Sequence, residues 1–195
     1  DHYLLNILGI RLNMTGLDLK ADVMAKCTDA AKRYGYDSLK FERRDIAEYD
    51  AHAPADMVVT LHACDTATDY ALHNAICRGA RMILSVPCCQ HELNGQIASD
   101  RLRLITRYGI IKERFAALMT DAIRANLLES RGYKTQVLEF VDLSHTPKNL
   151  LIRAIKKRPA LDNAGRIALD EAKALVEEFS LEPTLYSLLY PHSAD

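Results

Sequence analysis

The sequence predicts a three-layer α/β sandwich with a mostly parallel sheet and a C-terminal β-hairpin. Apolar, strand-like runs alternate five or six times with segments of helical periodicity, which is the order of βαβ units. Two of these runs, residues 57–61 and 82–86, are continuously apolar, as strands buried on both faces are. Two further runs follow each other directly near the end and predict paired strands. The 195 residues, 49% hydrophobic and 26% charged, have the composition of a globular domain, which excludes disorder and collagen-like repeats.

The elements of the first quarter follow in this order. Residues 1–9 have the pattern of the end of a helix closed by a glycine, and residues 11–17 alternate as a short strand does. Residues 23–34 have helical spacing, and Gly35 stands where a helix commonly ends. A brief strand is predicted at residues 39–41.

A helix is predicted between the two continuously apolar runs. Asp65 and Thr66 can cap its N-terminus, and its inward-facing residues are Leu72, Ala75 and Ile76. Cysteines fall at apolar positions of this helix and of the preceding one, and they are expected in the core. These two cysteines are Cys27 and Cys77.

The second half of the chain predicts a long helical region, two strands and a last helix. The long region covers residues 101–130, the strands are residues 137–141 and 150–154, and residues 144–148 join them. The last helix spans residues 168–179. The inward stripe of the long helix is expected to be Ile111, Phe115, Leu118 and Ala122.

Charge is segregated along the chain. Residues 101–158 carry 13 Lys and Arg against 5 Asp and Glu, a net charge of +8, although the whole chain is −1. A basic block of this size predicts an anionic partner such as RNA, and a solvated helix face is an equally good interpretation. Two groups are candidates for the anionic path: Arg101, Arg103 and Arg107, and Lys156, Lys157 and Arg158.

Cysteine usage and hydropathy predict a cytoplasmic protein. The five cysteines are odd in number and no secretory signal is visible, so a disulfide framework is not expected. No apolar run approaches the roughly 20 residues of a membrane span.

The chemistry is expected at the carboxyl ends of the parallel strands, where open α/β sheets bind ligands. Asp18 follows the first strand, and a carboxylate there accepts two ribose hydroxyls; a helix N-cap is the alternative. Asp45 and Ile46 follow the second strand and can flank a base, or form an ordinary loop.

Two clusters of His, Cys and Asp follow the two continuously apolar strands. They are residues 62–65 (His-Ala-Cys-Asp) and residues 87–91 (Pro-Cys-Cys-Gln-His), and neighbouring strands would bring them into one cleft. The clusters contain enough zinc ligands, but neighbouring Cys88 and Cys89 are not expected to face one ion and the Cys-x-x-Cys spacing is absent. No metal site is therefore predicted. A cysteine nucleophile has no identifiable base.

These motifs resemble a family of class I S-adenosylmethionine-dependent methyltransferases. The similarity rests on residues 16–20 (Gly-Leu-Asp-Leu-Lys), 61–65 (Leu-His-Ala-Cys-Asp), 86–93 (Val-Pro-Cys-Cys-Gln-His-Glu-Leu) and 140–149. Relatives of the family include tRNA ribose 2′-O-methyltransferases. The resemblance implies a Rossmann-like, seven-stranded sheet with a reversed last strand, S-adenosylmethionine as cofactor and RNA as a possible acceptor.

The resemblance also implies roles for single residues. The implied cofactor-binding residues are Asp18, Leu19, Asp45, Ile46 and His62. The implied substrate pocket comprises Cys64, Pro87, Cys88, Cys89 and Gln90. The candidate bases are His62, Asp65 and His91, because a poorly ionised acceptor needs a proton acceptor near neutral pH.

One feature departs from the family pattern. None of the eight glycines forms a Gly-x-Gly, whereas such enzymes begin with a strand and a glycine-rich turn. We expect residues 1–158 to be a partial methyltransferase domain without that strand, and residues 159–195 to be a linker and helix. Such a fragment is expected to bind the cofactor weakly and to be inactive alone.

Two other functions are also compatible with the sequence. An acidic residue after a strand is also the ribose-binding signal of a nicotinamide-dependent oxidoreductase. A non-catalytic zinc or nucleic-acid-binding module built on the basic block is the second.

Overall fold

A computed structural model describes residues 2–49, 53–61, 63–141 and 149–191. The chain divides into two compact units, Asp1–Asp50 and Ala51–Asp195. The boundary expected between residues 158 and 159 lies inside the second unit.

The first unit is a parallel strand pair with one helix. After a π-helical turn at Tyr3–Ile7 come β1 (Met14–Asp18), α1 (Ala21–Arg33) and β2 (Leu39–Arg43). In the β1–β2 register Gly16 pairs with Phe41, and a Cβ on Gly16 would lie 2.7 Å from the phenyl ring. A side chain at position 16 would therefore require the Phe41 ring to move. The structure thus confirms the predicted helix α1 and the predicted strands β1 and β2.

The second unit contains four strands and six helices among the described residues. They are β3 (Met57–Leu61), α2 (Thr66–Cys77), β4 (Met82–Val86), α3 (His91–Gln96), α4 (Arg103–Thr106), α5 (Gly109–Ser130), β5 (Tyr133–Glu139), β6 (Leu150–Lys156), α6 (Asn163–Glu178) and α7 (Thr184–Leu189), with a short 3₁₀ turn at Asp100–Leu102.

The sheet of the second unit has the strand order β3-β4-β6-β5. β3 and β4 are parallel, and β6 is antiparallel to both of its neighbours. The α/β class, the terminal strand pair and the reversed last strand are thereby confirmed. The described residues form six strands in sheets of two and four, rather than the seven-stranded sheet that the resemblance implies. The predicted connection at residues 144–148 lies outside the described residues.

The core of the second unit contains side chains of the sheet and of helices from the beginning, the middle and the end of this part of the sequence. Leu72 of α2, Ile83 of β4, Leu127 of α5, Ile152 of β6 and Leu185 of α7 are fully buried in one cluster. The C-terminal helices are thus part of this core, and burial of side chains of this size stabilises the fold by about 1.5–3 kcal/mol each.

The predicted inward stripe of α5 is wrong. Leu118 and Ile111 are 60% and 46% exposed, and Ala122 is exposed as well, while Phe115 is half-buried. The buried face carries Met119, Ile123 and Leu127 together with charged Asp121 and Arg124. Charged residues usually lie on the exposed face of a helix, whereas in α5 Asp121 and Arg124 lie on the buried face.

Two smaller expectations of burial are also wrong. Met57, Val59 and Leu61 on one face of β3 are exposed, because β3 is an edge strand of its sheet and only alternate residues face inward. Cys77 is exposed because α2 ends there, ahead of the turn at Gly79, and Cys27 is half-buried.

Candidate functional site

The predicted cofactor residues of the first unit share the carboxyl edge of its sheet. Asp18 is the last residue of β1 and pairs with Arg43, the last residue of β2, so that Asp45 lies just beyond the same edge. The backbone N–H of Arg44 donates to the carbonyl of Asp18 at 3.2 Å. The expectation that these strand ends meet at one edge is confirmed.

The two carboxylates at this edge are oriented by their own turns. Asp18 Oδ1 accepts the backbone N–H of Lys20 at 2.8 Å, and Asp45 Oδ1 accepts that of Ala47 at 2.9 Å. Both are Asx-type turns, which fix a side chain relative to the backbone. Lys20 is the N-cap of α1, and Asp18 orders the turn that leads into it.

A shallow hollow lies at this edge. Its volume is about 320 Å³, and it is lined by Leu19, Arg43, Arg44, Asp45 and Glu48. Arg43 Nε donates to the Leu19 carbonyl at 3.0 Å, and the Leu19 side chain is exposed. Ile46 is half-buried next to it. An apolar side chain beside carboxylates and guanidinium groups can hold a ligand that has one flat face and several hydroxyls.

In the second unit the two Cys-containing loops meet. Cys64 Sγ lies 3.5 Å from Cys88 Sγ, and Cys88 Sγ lies 3.9 Å from Cys89 Sγ. The backbone N–H of Asp65 donates to the Cys89 carbonyl at 3.2 Å. The predicted convergence of these loops, 24 positions apart in sequence, is confirmed. His62 lies outside the described residues.

Asp65 holds the second loop through its side chain. Its Oδ1 accepts the backbone N–H groups of His91 at 2.8 Å and Glu92 at 3.1 Å, the first two residues of α3. The expectation that the Asp65 side chain caps α2 is wrong, since it makes no capping bond to that helix. Its φ of +52° is one that non-glycine residues seldom adopt, so this conformation is maintained against local strain.

A buried charge network lies behind the two loops, and the sequence analysis missed it. Arg124 is 1% exposed; its Nε donates to Asp69 at 3.0 Å, its Nη1 to Asp121 at 3.0 Å and its Nη2 to the Asp65 carbonyl at 3.0 Å. Gln90 Nε2 donates to the other oxygen of Asp121 at 3.0 Å. The only sequence signal is the i, i+3 spacing of Asp121 and Arg124, which is equally typical of an exposed helix.

Burial shifts the titration of this network. Loss of solvation raises the pKa of Asp121 to about 6, although the Arg124 charge opposes the shift. Loss of solvation also raises the pKa of Glu92, whose carboxylate accepts the backbone N–H and the hydroxyl of Thr184. The Glu92 contact ties α3 to the beginning of α7.

The Cys88 and Cys89 thiols are poor nucleophiles in this environment. Burial, together with hydrogen bonds from Cys64 and Cys89, raises the pKa of Cys88 to about 12, and burial raises that of Cys89. Both are therefore protonated at neutral pH, whereas nucleophilic cysteines have lowered pKa values.

The other predicted residues of the second loop differ in exposure. Pro87 and Gln90 are buried, and the Gln90 amide is bonded to Asp121, so Gln90 supports the loop from behind. Cys64 and His91 are exposed, and His91 is the first residue of α3. Cys88 and Cys89 are half-buried, so the exposed candidate residues described in this unit are Cys64 and His91.

Several cations of the basic block are engaged in structural pairs. Arg101 forms an ion pair with Glu178 at 2.5 Å, Arg158 pairs with Glu129 at 3.2 Å, and Lys156 donates to the Arg131 carbonyl. Arg103, Arg107 and Lys157 are exposed.

Within the described ranges, none of the helices has the length and hydropathy to cross a membrane.

The first half of the chain is similar to a known protein family. Residues 1–96 match the model of a family described as "Methyltransferase domain". The matched residues make up just under half of the chain. The matched range contains all the candidate site residues, from Asp18 to His91, whereas the basic block follows it.

Solved structures of methyltransferases are similar to the chain at low identity. An rRNA methylase from Streptococcus thermophilus is 12% identical over 78% of each chain, with a TM-score of 0.47. The N-methyltransferase NodS from Bradyrhizobium japonicum is 14% identical over 75% of this chain and 74% of its own, with a TM-score of 0.42. The CMeT domain of the citrinin polyketide synthase is 16% identical over 80% of this chain and 42% of its own, with a TM-score of 0.45. No curated protein sequence matches the chain.

Proposed function

We propose that the matched range, residues 1–96, binds the adenosine end of S-adenosylmethionine at the carboxyl edge of β1 and β2 and takes part in methyl transfer. The observation that carries this proposal is the placement of two oriented carboxylates, Asp18 and Asp45, at one sheet edge within the residues that match the methyltransferase family. In open α/β sheets this edge is where nucleotides bind.

The residues at this edge suit an adenosine group. A carboxylate accepts hydrogen bonds from the two hydroxyls of a ribose, which is the role proposed for Asp18. The exposed Leu19 side chain offers an apolar surface to the face of the adenine ring. Asp45 can accept from the exocyclic amine, while Ile46 packs beside the base.

The bound cofactor supplies a methyl group that is already activated by its positive sulfur. The protein then has to orient the acceptor, exclude water and accept a proton when the acceptor is a hydroxyl. We assign the proton-accepting role to His91, which is exposed, and to His62 as the second candidate. Asp65 is proposed as a positioning residue, because its carboxylate already holds the two amides at the start of α3.

We propose RNA as the acceptor class. This acceptor is supported by the net charge of +8 over residues 101–158. Three cations of this block, Arg103, Arg107 and Lys157, are exposed. Phosphate neutralisation by such side chains gives binding that weakens with salt.

Amide chemical-shift mapping with S-adenosylhomocysteine tests the cofactor site residue by residue. We expect weak, saturable shifts at Leu19, Asp45 and Ile46, which the Asp18→Ala variant loses. The Asp37→Ala variant removes an exposed carboxylate of the same unit and should leave them unchanged. Shifts that avoid these amides, or the absence of any shift at millimolar ligand, would contradict the proposal.

Transfer of a radiolabelled methyl group from S-adenosylmethionine to separate RNA and protein fractions tests the acceptor. Label in RNA that decreases with added salt and in the Arg103→Glu, Arg107→Glu double variant supports the RNA proposal. Label in the protein fraction alone contradicts it.

A further inference from the structure

Three thiols from the two loops form a compact cluster. The Sγ atoms of Cys64, Cys88 and Cys89 all lie within 4.8 Å of one another, and the measured neighbouring distances are 3.5 and 3.9 Å. Neighbouring cysteines such as Cys88 and Cys89 are not expected from sequence to face one ion. Both sulfurs instead lie on the same side, next to Cys64.

These sulfur–sulfur distances are close to the separation of two thiolates that bind the same metal ion tetrahedrally. Zinc–sulfur bonds are about 2.3 Å long, and the tetrahedral angle then separates two bound sulfurs by about 3.8 Å. The two measured distances differ from this value by only about 0.1–0.3 Å. A disulfide, by contrast, requires a separation of about 2.05 Å, and none of the five cysteines of the chain forms one.

The loops that carry the thiols are held from behind, so the cluster is preorganised. Arg124 bonds the carbonyl of Asp65, next to Cys64, and Asp121 bonds Gln90, next to Cys89. Asp65 itself links the loops through its N–H and its carboxylate. Such outer contacts fix the ligands of metal sites.

We propose that Cys64, Cys88 and Cys89 bind one Zn²⁺ ion through three thiolates. Thiolates prefer zinc among the common divalent cations, and three protein ligands with one open position form a stable zinc coordination. Each thiol loses its proton on binding, so three protons are released and the ion with its three thiolates carries a net charge of −1.

The zinc ion would join the loop after β3 to the loop after β4. This proposal does not depend on methyl transfer, because its geometry and its tests involve neither cofactor nor acceptor.

Titration with Co²⁺, followed by displacement with Zn²⁺, tests the site in reduced, chelator-treated protein. We expect a thiolate-to-cobalt charge-transfer band that saturates at one equivalent and disappears when zinc is added. The Cys64→Ser, Cys88→Ser and Cys89→Ser variants should each bind at least about 100-fold more weakly, since loss of an outer contact alone costs about 10–100-fold. Cys27→Ser and Cys77→Ser are the matched controls and should bind as the parent does.

Alkylation gives a second measurement that needs no variant to fold. Zinc should protect three of the five thiols from a maleimide reagent, and mass spectrometry should locate the protected residues at Cys64, Cys88 and Cys89. Absence of the band at one equivalent of cobalt overturns the proposal. Equal loss of binding in the control variants, or equal alkylation of all five thiols in the presence of zinc, overturns it as well.

Discussion

Arg124 Nη2 donates a hydrogen bond of 3.0 Å to the backbone carbonyl of Asp65, which is 59 positions earlier in the chain. The same guanidinium group pairs with Asp69 and Asp121, so one buried cation links α2, α5 and the loop after β3. The position of the Cys64–Asp65 loop therefore depends on a residue in the middle of a helix, outside the segment that matches the methyltransferase family.

Replacing Arg124 by methionine should destabilise the protein severely. The substitution leaves the Asp69 and Asp121 carboxylates buried without their cation, and breaking such a buried pair costs about 3–5 kcal/mol. Urea unfolding followed by circular dichroism measures the change. The control is Arg114→Met, an exposed position of the same helix, where we expect a change within about 0.5 kcal/mol. Equal stabilities of the two variants would show that the network contributes little.

Asp121 should make the stability of the protein depend on pH in the acidic range. Burial raises its pKa to about 6, above the value of about 3.9 for an unfolded chain. Between these values the folded state binds more protons than the unfolded state, so the free energy of unfolding falls as pH rises from about 4 to 6. The contribution is on the order of 2–3 kcal/mol, fully present below pH 4.

The Asp121→Asn variant isolates this contribution from those of the other carboxylates. The free energy of unfolding of the parent minus that of the variant, measured by urea unfolding, should decrease between pH 4 and 6. A difference that stays constant over this range, or that grows with pH, contradicts the assignment.

The sequence was sufficient to predict most strands and helices and the meeting of the two loops, but it did not predict the short helices α3 and α7. Periodicity and terminal glycines mark strands and helices, and Gly35 and Gly79 do have the positive φ angles expected at helix ends. Parallel neighbouring strands have their carboxyl ends at one edge of the sheet. For β3 and β4, this rule predicts that Cys64 lies near Cys88 and Cys89.

The features that the sequence could not predict depend on distant partners. An arginine in a helix is usually solvated, and the burial of Arg124 depends on partners outside its own helix, Asp69 and the Asp65 carbonyl, as well as on Asp121. Asp65 precedes α2 directly, so local rules assign its side chain to that helix, whereas the folded chain places α3 within reach of it. The orientation of Cys88 and Cys89 likewise follows from how their loop is held, which spacing alone does not reveal.

Gly132, between α5 and β5, should not tolerate alanine. Its φ is +88°, and a Cβ would overlap the carbonyl oxygen of Arg158 and lie 2.9 Å from that of Pro159. We expect Gly132→Ala to lower the free energy of unfolding by about 2–3 kcal/mol, because both the backbone conformation and the space oppose a side chain. Gly109→Ala is the control, since nothing lies within 4 Å of its Cβ position. Thermal unfolding compares the two variants, and a similar melting temperature for both would contradict the close approach.

Asp65 variants separate a positioning role from a proton-accepting one. Asparagine keeps an oxygen acceptor for the amides of His91 and Glu92 and tolerates positive φ, so Asp65→Asn should retain most of the stability. Asp65→Ala loses both bonds and should cost about 1–2 kcal/mol, with faster hydrogen exchange at these two amides. If Asp65 only positions the loop, the asparagine variant keeps both the slow exchange and any methyl transfer that the parent shows, with an unchanged pH profile. Loss of transfer in Asp65→Asn while the two amides stay protected would instead make the carboxylate itself the proton acceptor.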